Sequence, residues 1–295
     1  MSNEMANDYK IYFAGLARDC EDTLEENIRT ILDVCRQMPT QNCKVLIAEN
    51  DSQDKTREIL TKLEDEYNIE LFLFDNLDEE YPIREKRIAH LRNILFEEIQ
   101  DISRVEDPKI PKLYVPIDLD SEITQSIDID QFLKECHRVV NGETDAVFPA
   151  SEPYYYDIYA LRAEGWVEED CWNKVRESRM QIGSFMSKMK FVYSKQKNIK
   201  ELKKEGKISV QSAFGGVGIY NLEKLGDASY KRDGDYPQNI CEHTIFNKAV
   251  DSKEISTDFV VRAPQEHIRY NISRLEKFKL FLTSSLSDVK NLIVG

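Results

Sequence analysis

No apolar run in the 295 residues approaches the ~20 that a membrane-crossing helix needs. The start, Met1–Lys10, is polar and carries acids, so neither a secretory signal nor a transit peptide is expected, and the reading is a cytoplasmic protein. Cys-x-x-Cys pairs are missing. The six cysteines, Cys20, Cys35, Cys43, Cys136, Cys171 and Cys241, are scattered, which leaves cysteine-based zinc unsupported and predicts reduced thiols. Positive charge is scarce: 40 Lys and Arg stand against 54 Asp and Glu, a net charge of -14. Phosphate is repelled on average, so no nucleic-acid partner is expected. A strand-to-helix Gly-x-Gly-x-x-Gly is also lacking, which excludes a dinucleotide fingerprint. Internal repeats and low-complexity linkers are absent. The hydrophobic content of 41% is enough for a packed core, and one continuous domain is expected.

What is present is alternation of strand and helix patterns. Apolar runs at Lys10–Leu16, Lys44–Ala48, Ile69–Phe74, Lys112–Ile117 and Ala146–Pro149 read as buried strands. Between them, Glu21–Gln37, Lys55–Tyr67, Ile83–Ile99 and Asp128–Val140 carry apolar residues at helical spacing, with Asp54 as an N-cap for the second. This order predicts an α/β fold, a Rossmann-type, mainly parallel sheet flanked by helices. After residue 149 the pattern changes to an elaborated second half. It has an aromatic block at Glu152–Trp172, a lysine-rich stretch at Lys188–Lys207, and a strand-like run at Ile208–Tyr220 broken by glycines. A helix at Ile240–Val250, a strand at Ile255–Arg262 and a closing helix at Arg274–Leu292 follow. The divisions are 10–149, 150–270 and 271–295.

Open parallel sheets bind ligands beyond the carboxyl ends of their strands. The fourth strand delivers Asp118 and Asp120 there, spaced so that an extended backbone puts both on one face. Such a pair can share a hard cation, Mn2+ or Mg2+, or divide a metal and a ribose hydroxyl between them; the plain alternative is two solvated turn aspartates. Asp51, in the turn after the second strand, is placed to accept bonds from a base or ribose, or to build an Asx turn. On the helix Ile83–Ile99, Arg84 and Arg92 flank Ile88 near the apolar stripe. A guanidinium there needs a carboxylate or phosphate, or must snorkel at the margin. Arg84 is read against a pyrophosphate and Arg92 against an aspartate. Gly215, Gly216 and Gly218 allow close backbone approach to a ligand. Glu242 and His243 adjoin at a helix start, where the dipole favours an ionised glutamate. His267 follows the last strand.

The order of these segments resembles the GT-A nucleotide-sugar glycosyltransferases. Gly15 and Arg18 after the first strand, ENDSQDKT, RIAHLRN and the Asp118-Leu119-Asp120 motif are similar to that family's donor half. YYYDIYALR, FGGVGIY and CEHTIFNK resemble bacterial and viral relatives of the fungal capsule-associated mannosyltransferases, over about residues 10–270. The resemblance implies hexose transfer from a nucleotide diphosphate sugar to a glycan or lipid-linked glycan, in surface polysaccharide synthesis. Residues 10–149 would bind the donor, through Gly15, Arg18, Asp51, Arg84, Arg92 and Asp118. Asp120 and His267 would hold the metal and Glu242 would be catalytic. Tyr156, Asp157, Gly215, Gly216 and His243 would face the acceptor.

Two other readings compete. A haloacid-dehalogenase-like phosphatase uses Asp-x-Asp-x-Thr/Val, but position 122 is Glu. A non-catalytic nucleotide-sugar-binding module would keep the fold and lose the carboxylates. Lys188–Lys207, with eight lysines and two glutamates, is read as a flap, as a contact for an anionic membrane, or as a solvated helix pair.

Overall fold

Strand residues alternate between two apolar layers, which is why the first-half strands read as unbroken hydrophobic runs. On the first strand Tyr12 and Ala14 enter one layer while Ile11 and Phe13 enter the other; on the second, Leu46 and Ala48 oppose Val45 and Ile47. The computed structural model describes residues 9–39, 42–231 and 240–268. Its first half runs β1 (Lys10–Ala17), α1 (Glu21–Arg36), β2 (Cys43–Asn50), α2 (Thr56–Glu66), β3 (Ile69–Phe74), α3 (Leu77–Glu80), α4 (Arg84–Arg104), β4 (Lys112–Asp118), α5 (Ile129–Val140) and β5 (Ala146–Glu152). Then come α6 (Cys171–Ile182), α7 (Ser184–Phe191), α8 (Ile199–Glu205), β6 (Lys207–Ser209), β7 (Ile219–Asn221), α9 (Leu222–Leu225), α10 (His243–Phe246) and β8 (Lys253–Arg262).

One eight-stranded sheet takes strands from both halves, in the order β3-β2-β1-β4-β7-β5-β8-β6. β3, β2, β1 and β4 are parallel; β7 runs antiparallel between β4 and β5, β8 is parallel to β5, and β6 closes the edge antiparallel. The expected α/β sheet with helices on both faces is therefore present. α1, α2 and α5 bury Leu24, Ile28, Leu60, Leu63, Phe132 and Val139 on one face. α4 buries Leu91, Leu95, Phe96 and Ile99 on the other, together with most of the second half. No helix among the described residues is long and apolar enough to cross a membrane.

Five expectations change or fall outside the description. Cys35 and Cys43 form a disulfide, with Cα atoms 5.4 Å apart, so the expectation of six reduced thiols does not hold; the end of α1 folds back directly onto the start of β2. The run 208–220 is two short strands joined by the glycine-rich loop, because its middle pairs with the exit of β4 by the isolated bridge Ile117–Val217 rather than continuing a strand. The helix expected over 240–250 is the four-residue α10 followed by a 3-10 turn at Asn247–Ala249. The lysine-rich stretch is not a wholly solvated helix pair: α8 is anchored by Ile199 and Leu202 in the core, and Lys197 pairs with Glu205 at 3.1 Å. The closing helix expected over 274–292 lies outside the described residues.

Candidate active site

β1 and β4 are neighbours, so their carboxyl ends open together, and α4 lies against both. A cavity of about 560 Å³ sits there. β4 ends at Asp118; Leu119 turns into the core, and Asp120 emerges on the cavity side again. This turn is fixed by Asn27 of α1, fully buried, whose Nδ2 donates to the carbonyls of Leu119 (2.9 Å) and Ser121 (2.8 Å). Thr124 Oγ1 donates to the Asp118 carbonyl at 2.6 Å. Gly15 and Gly216 serve the same turn through packing. A Cβ on Gly15 would lie 2.7 Å from Leu119 Cδ1, and one on Gly216, at φ +88, 2.7 Å from Ile123 Cδ1. The Gly216 carbonyl accepts the Asp118 N–H at 2.8 Å. Neither Gly15, Gly215 nor Gly216 lines the cavity. Their smallness brings protein against protein.

At the centre is Arg92, 5% exposed. Its Nη2 donates to Asp118 Oδ1 at 2.9 Å, and its Nε lies 3.3 Å from Glu242 Oε1. The guanidinium carbon sits 5.0 Å from the Phe214 ring centroid and 5.9 Å from that of Tyr230. A buried charge persists only when paired, and here one cation serves two carboxylates from distant chain segments. Burial pulls the guanidinium pKa down, but Asp118 and Glu242 more than restore it, and it is held above its ordinary value. Burial pushes Asp118 up to about 7; Arg92 opposes this, while Asp120 and Glu242 add to it. Glu242, 8% exposed, is also raised, first by burial, with Arg92 opposing. His243 stacks on Phe214 at 3.6 Å and is held well below its usual pKa by burial and by Arg92. Its Nε2 is 3.5 Å from Glu242 Oε1.

The Asp118 shift has a measurable consequence. Its folded-state pKa lies above the unfolded value near ~4, so the native state binds this proton more tightly. This group's contribution is therefore fully present at low pH and is lost as pH rises from about 4 through about 7. Asp118→Asn is expected to flatten the fall of the urea midpoint over that window, leaving the part due to Glu242. Equal slopes in both proteins would contradict the shift.

Toward β1 and the start of α4, Arg18, Arg84 and Arg87 line the cavity. Arg18 Nη2 donates to Asp78 at 3.1 Å, while its Nη1 is buried without a hydrogen-bond partner. Burial and the neighbouring Arg18 lower the Arg87 pKa. Arg87 is a site residue that the sequence reading leaves out, although it stands three residues from Arg84 on the same helical face. Asp51 lies outside the lining. At φ +54 it builds the turn, and its carboxylate accepts from Asn50 Nδ2 (2.9 Å) and the Asp78 N–H (3.1 Å).

On the other side Tyr156, Asp157, Glu242, His243 and His267 all line the cavity. Asp157 clamps backbone, accepting from the N–H groups of Gly215 (2.8 Å) and Ala160 (3.2 Å). Tyr156 stacks on His267 with centroids 5.7 Å apart. Nothing in the sequence signals Gln196, and Tyr159 is marked there only as part of an aromatic block. Both line the cavity with a buried oxygen lacking a hydrogen-bond partner. Such groups suit a hydroxyl-rich ligand.

Asp118, Asp120 and His267 line one cavity, but among the described residues no three His, Cys, Asp or Glu side chains gather into a metal-holding group. The two aspartates alone still fit a hard cation, which takes one or two carboxylates and completes its shell with phosphate oxygens and water. The excess negative charge is visible in the push of Asp120 on Asp118.

The family model described as cryptococcal mannosyltransferase 1 matches residues 10–254. Similar solved structures include residues 1–349 of TarS from S. aureus, with 11% identity and TM-score 0.48 over 91% of this chain and 68% of that one. The same TarS fragment in complex with UDP-GlcNAc gives 11% identity and TM-score 0.46, over 86% and 58%. A further TarS structure gives 12% and 0.46, over 91% and 41%. No curated protein matches the chain.

Proposed function

The chain belongs to the cryptococcal mannosyltransferase 1 family and is a glycosyltransferase, and from that premise we propose that it moves a hexose from a nucleotide diphosphate sugar to a hydroxyl of a glycan or lipid-linked glycan, in surface polysaccharide synthesis. The observation that supports this most is Arg92, which joins Asp118 at the end of β4 to Glu242 at the start of α10 inside one cavity. Family membership and the Arg92 pairing of Asp118 disfavour the phosphatase reading.

Transfer breaks the bond between C1 and the phosphate oxygen and forms one from C1 to the acceptor oxygen, through an oxocarbenium-like centre. Charge develops on the departing diphosphate. Arg18, Arg84 and Arg87 meet it with fixed positive charge. Asp118 and Asp120 would hold Mn2+ or Mg2+, which when bound neutralises the leaving group. Glu242 takes the acceptor hydroxyl proton as the new bond forms; its raised pKa brings it closer to working pH, as a general base requires. Tyr156, Tyr159 and Gln196 supply the apolar face and polar atoms for a sugar ring.

Incubation with a panel of nucleotide sugars and Mn2+ is expected to release nucleoside diphosphate from one donor class. Binding of a donor without release, acceptor glycans supplied, would favour the binding module instead. Asp120→Asn is expected to bind Mn2+ more weakly and to lose most manganese-dependent release, because a neutral amide is a poor ligand for a hard cation. Undiminished Mn2+ binding and turnover in that variant would remove Asp120 from the site. If His267→Ala leaves the manganese dependence unchanged, His267 is no ligand.

A further inference from the structure

Five large hydrophobic side chains are exposed among the described residues, and three of them fall within seven positions: Met180 (71%), Ile182 (42%) and Met186 (52%). They surround Gly183, whose φ of +78 turns α6 into α7. Ser178 Oγ and Ser187 Oγ, 2.8 Å apart, tie the two helices together. The result is a hairpin with an apolar tip.

The charge around that tip is opposite to the rest of the chain. Residues 171–195 carry six Lys or Arg against one Glu, a net +5 in a chain of -14, with Lys174 engaged by Glu169 (2.8 Å) and Glu177 (3.7 Å). Lys190 and Lys195 are exposed, and Lys188 lies 5.8 Å from the Trp172 ring centroid. An apolar tip flanked along the chain by exposed cations is the pattern of a segment lying in the headgroup region of an acidic bilayer. The base of the hairpin faces the cavity instead, through Trp172 before the tip and Val192 and Tyr193 after it.

We propose that the α6–α7 hairpin docks the chain on an anionic lipid surface. Met180, Ile182 and Met186 enter the boundary between headgroups and acyl chains, and Lys188, Lys190 and Lys195 meet lipid phosphates. This surface is more local than the lysine stretch 188–207, whose α8 portion is packed into the core and whose Lys197 is paired with Glu205. Docked this way, the cavity opens beside the bilayer, where a lipid-linked acceptor presents its sugar. That consequence rests on the transfer reading above; the docking does not, and its test uses neither donor nor acceptor.

The full chain is mixed with phosphatidylcholine vesicles with and without phosphatidylglycerol, and the bound fraction is read by co-sedimentation. Binding is expected only to the anionic vesicles and is expected to weaken with salt. The triple variant Met180→Ser, Ile182→Ser, Met186→Ser should weaken it by about tenfold or more, and Lys188→Glu with Lys190→Glu should do the same. Val105→Ser, at an exposed hydrophobe on another face, should leave it unchanged. In Ile182→Trp, the emission of the added indole should move to shorter wavelength with anionic vesicles and be quenched by brominated acyl chains. Equal recovery with neutral and anionic vesicles, wild-type binding by the triple serine variant, or an unquenched indole in Ile182→Trp would each overturn the proposal. The first and the last would leave an acidic protein surface as the better match to the same charge.

Discussion

Glu242→Gln is expected to cut transfer by roughly 10²–10⁴-fold while leaving nucleotide-sugar affinity nearly unchanged. The amide keeps the size and shape of the carboxylate, so the substitution isolates proton acceptance. Read from sequence, this residue stands at a helix start and owes its ionisation to the helix dipole. The structure replaces that cause: α10 has four residues, and burial raises the pKa, with Arg92 holding it partly down. A base must be deprotonated to work, so the wild-type rate should rise with pH through a value above the usual glutamate range. The variant should lack that inflection. Glu242 also partners buried Arg92, so some loss of stability is expected as well. A urea titration separates this from catalysis, because turnover per folded molecule should still fall. Transfer within about tenfold of wild type, with donor affinity intact, would leave Glu242 as a structural partner of Arg92 alone.

The first half of the chain was legible because its signals are local. Unbroken apolar runs and 3.6-residue patterns fix which strands and helices form, and the end of an apolar strand fixes where Asp118 and Asp120 emerge. Much of the site lies beyond that reach, because it depends on contacts between distant segments. Cys35 and Cys43 carry no spacing signature; they pair because α1 returns to the start of β2. Asn27 reads as one more polar helix residue, yet it holds the carbonyls of Leu119 and Ser121 more than ninety positions away. The glycines of 215–218 looked like a ligand approach. Gly216 instead lies against Ile123, and Gly218 against Tyr220, where an added Cβ would come within 2.6 Å. Asp51 is the reverse case: its type and turn position suited a ligand contact, and backbone N–H groups of the neighbouring turn engage it instead. Arg92 could be read from local sequence as a cation at an apolar stripe in need of an anion. That it would meet two, one of them 150 positions later, could not.

Arg92→Met is expected to destabilise the protein by about 3–5 kcal/mol, since removing one partner of a buried pair strands the other. Here two carboxylates are stranded, Asp118 and Glu242, and each has already been pushed toward its neutral form by burial. In the variant both should protonate at still higher pH. The loss should therefore be largest above about pH 7 and smaller near pH 5, where neutral carboxyls no longer repel one another. Against a typical total of about 5–15 kcal/mol the effect is large but leaves a folded population. Equilibrium urea unfolding at both pH values measures it. Pairing Arg92→Met with Asp118→Asn tests the cause: if the cost is stranded charge, the double variant should be less destabilised than the sum of the two single ones, by about 0.5–3 kcal/mol. Additivity, or a single-variant loss under about 1 kcal/mol, would mean that Arg92 holds the site by packing on Phe214 and Tyr230 rather than by joining its carboxylates.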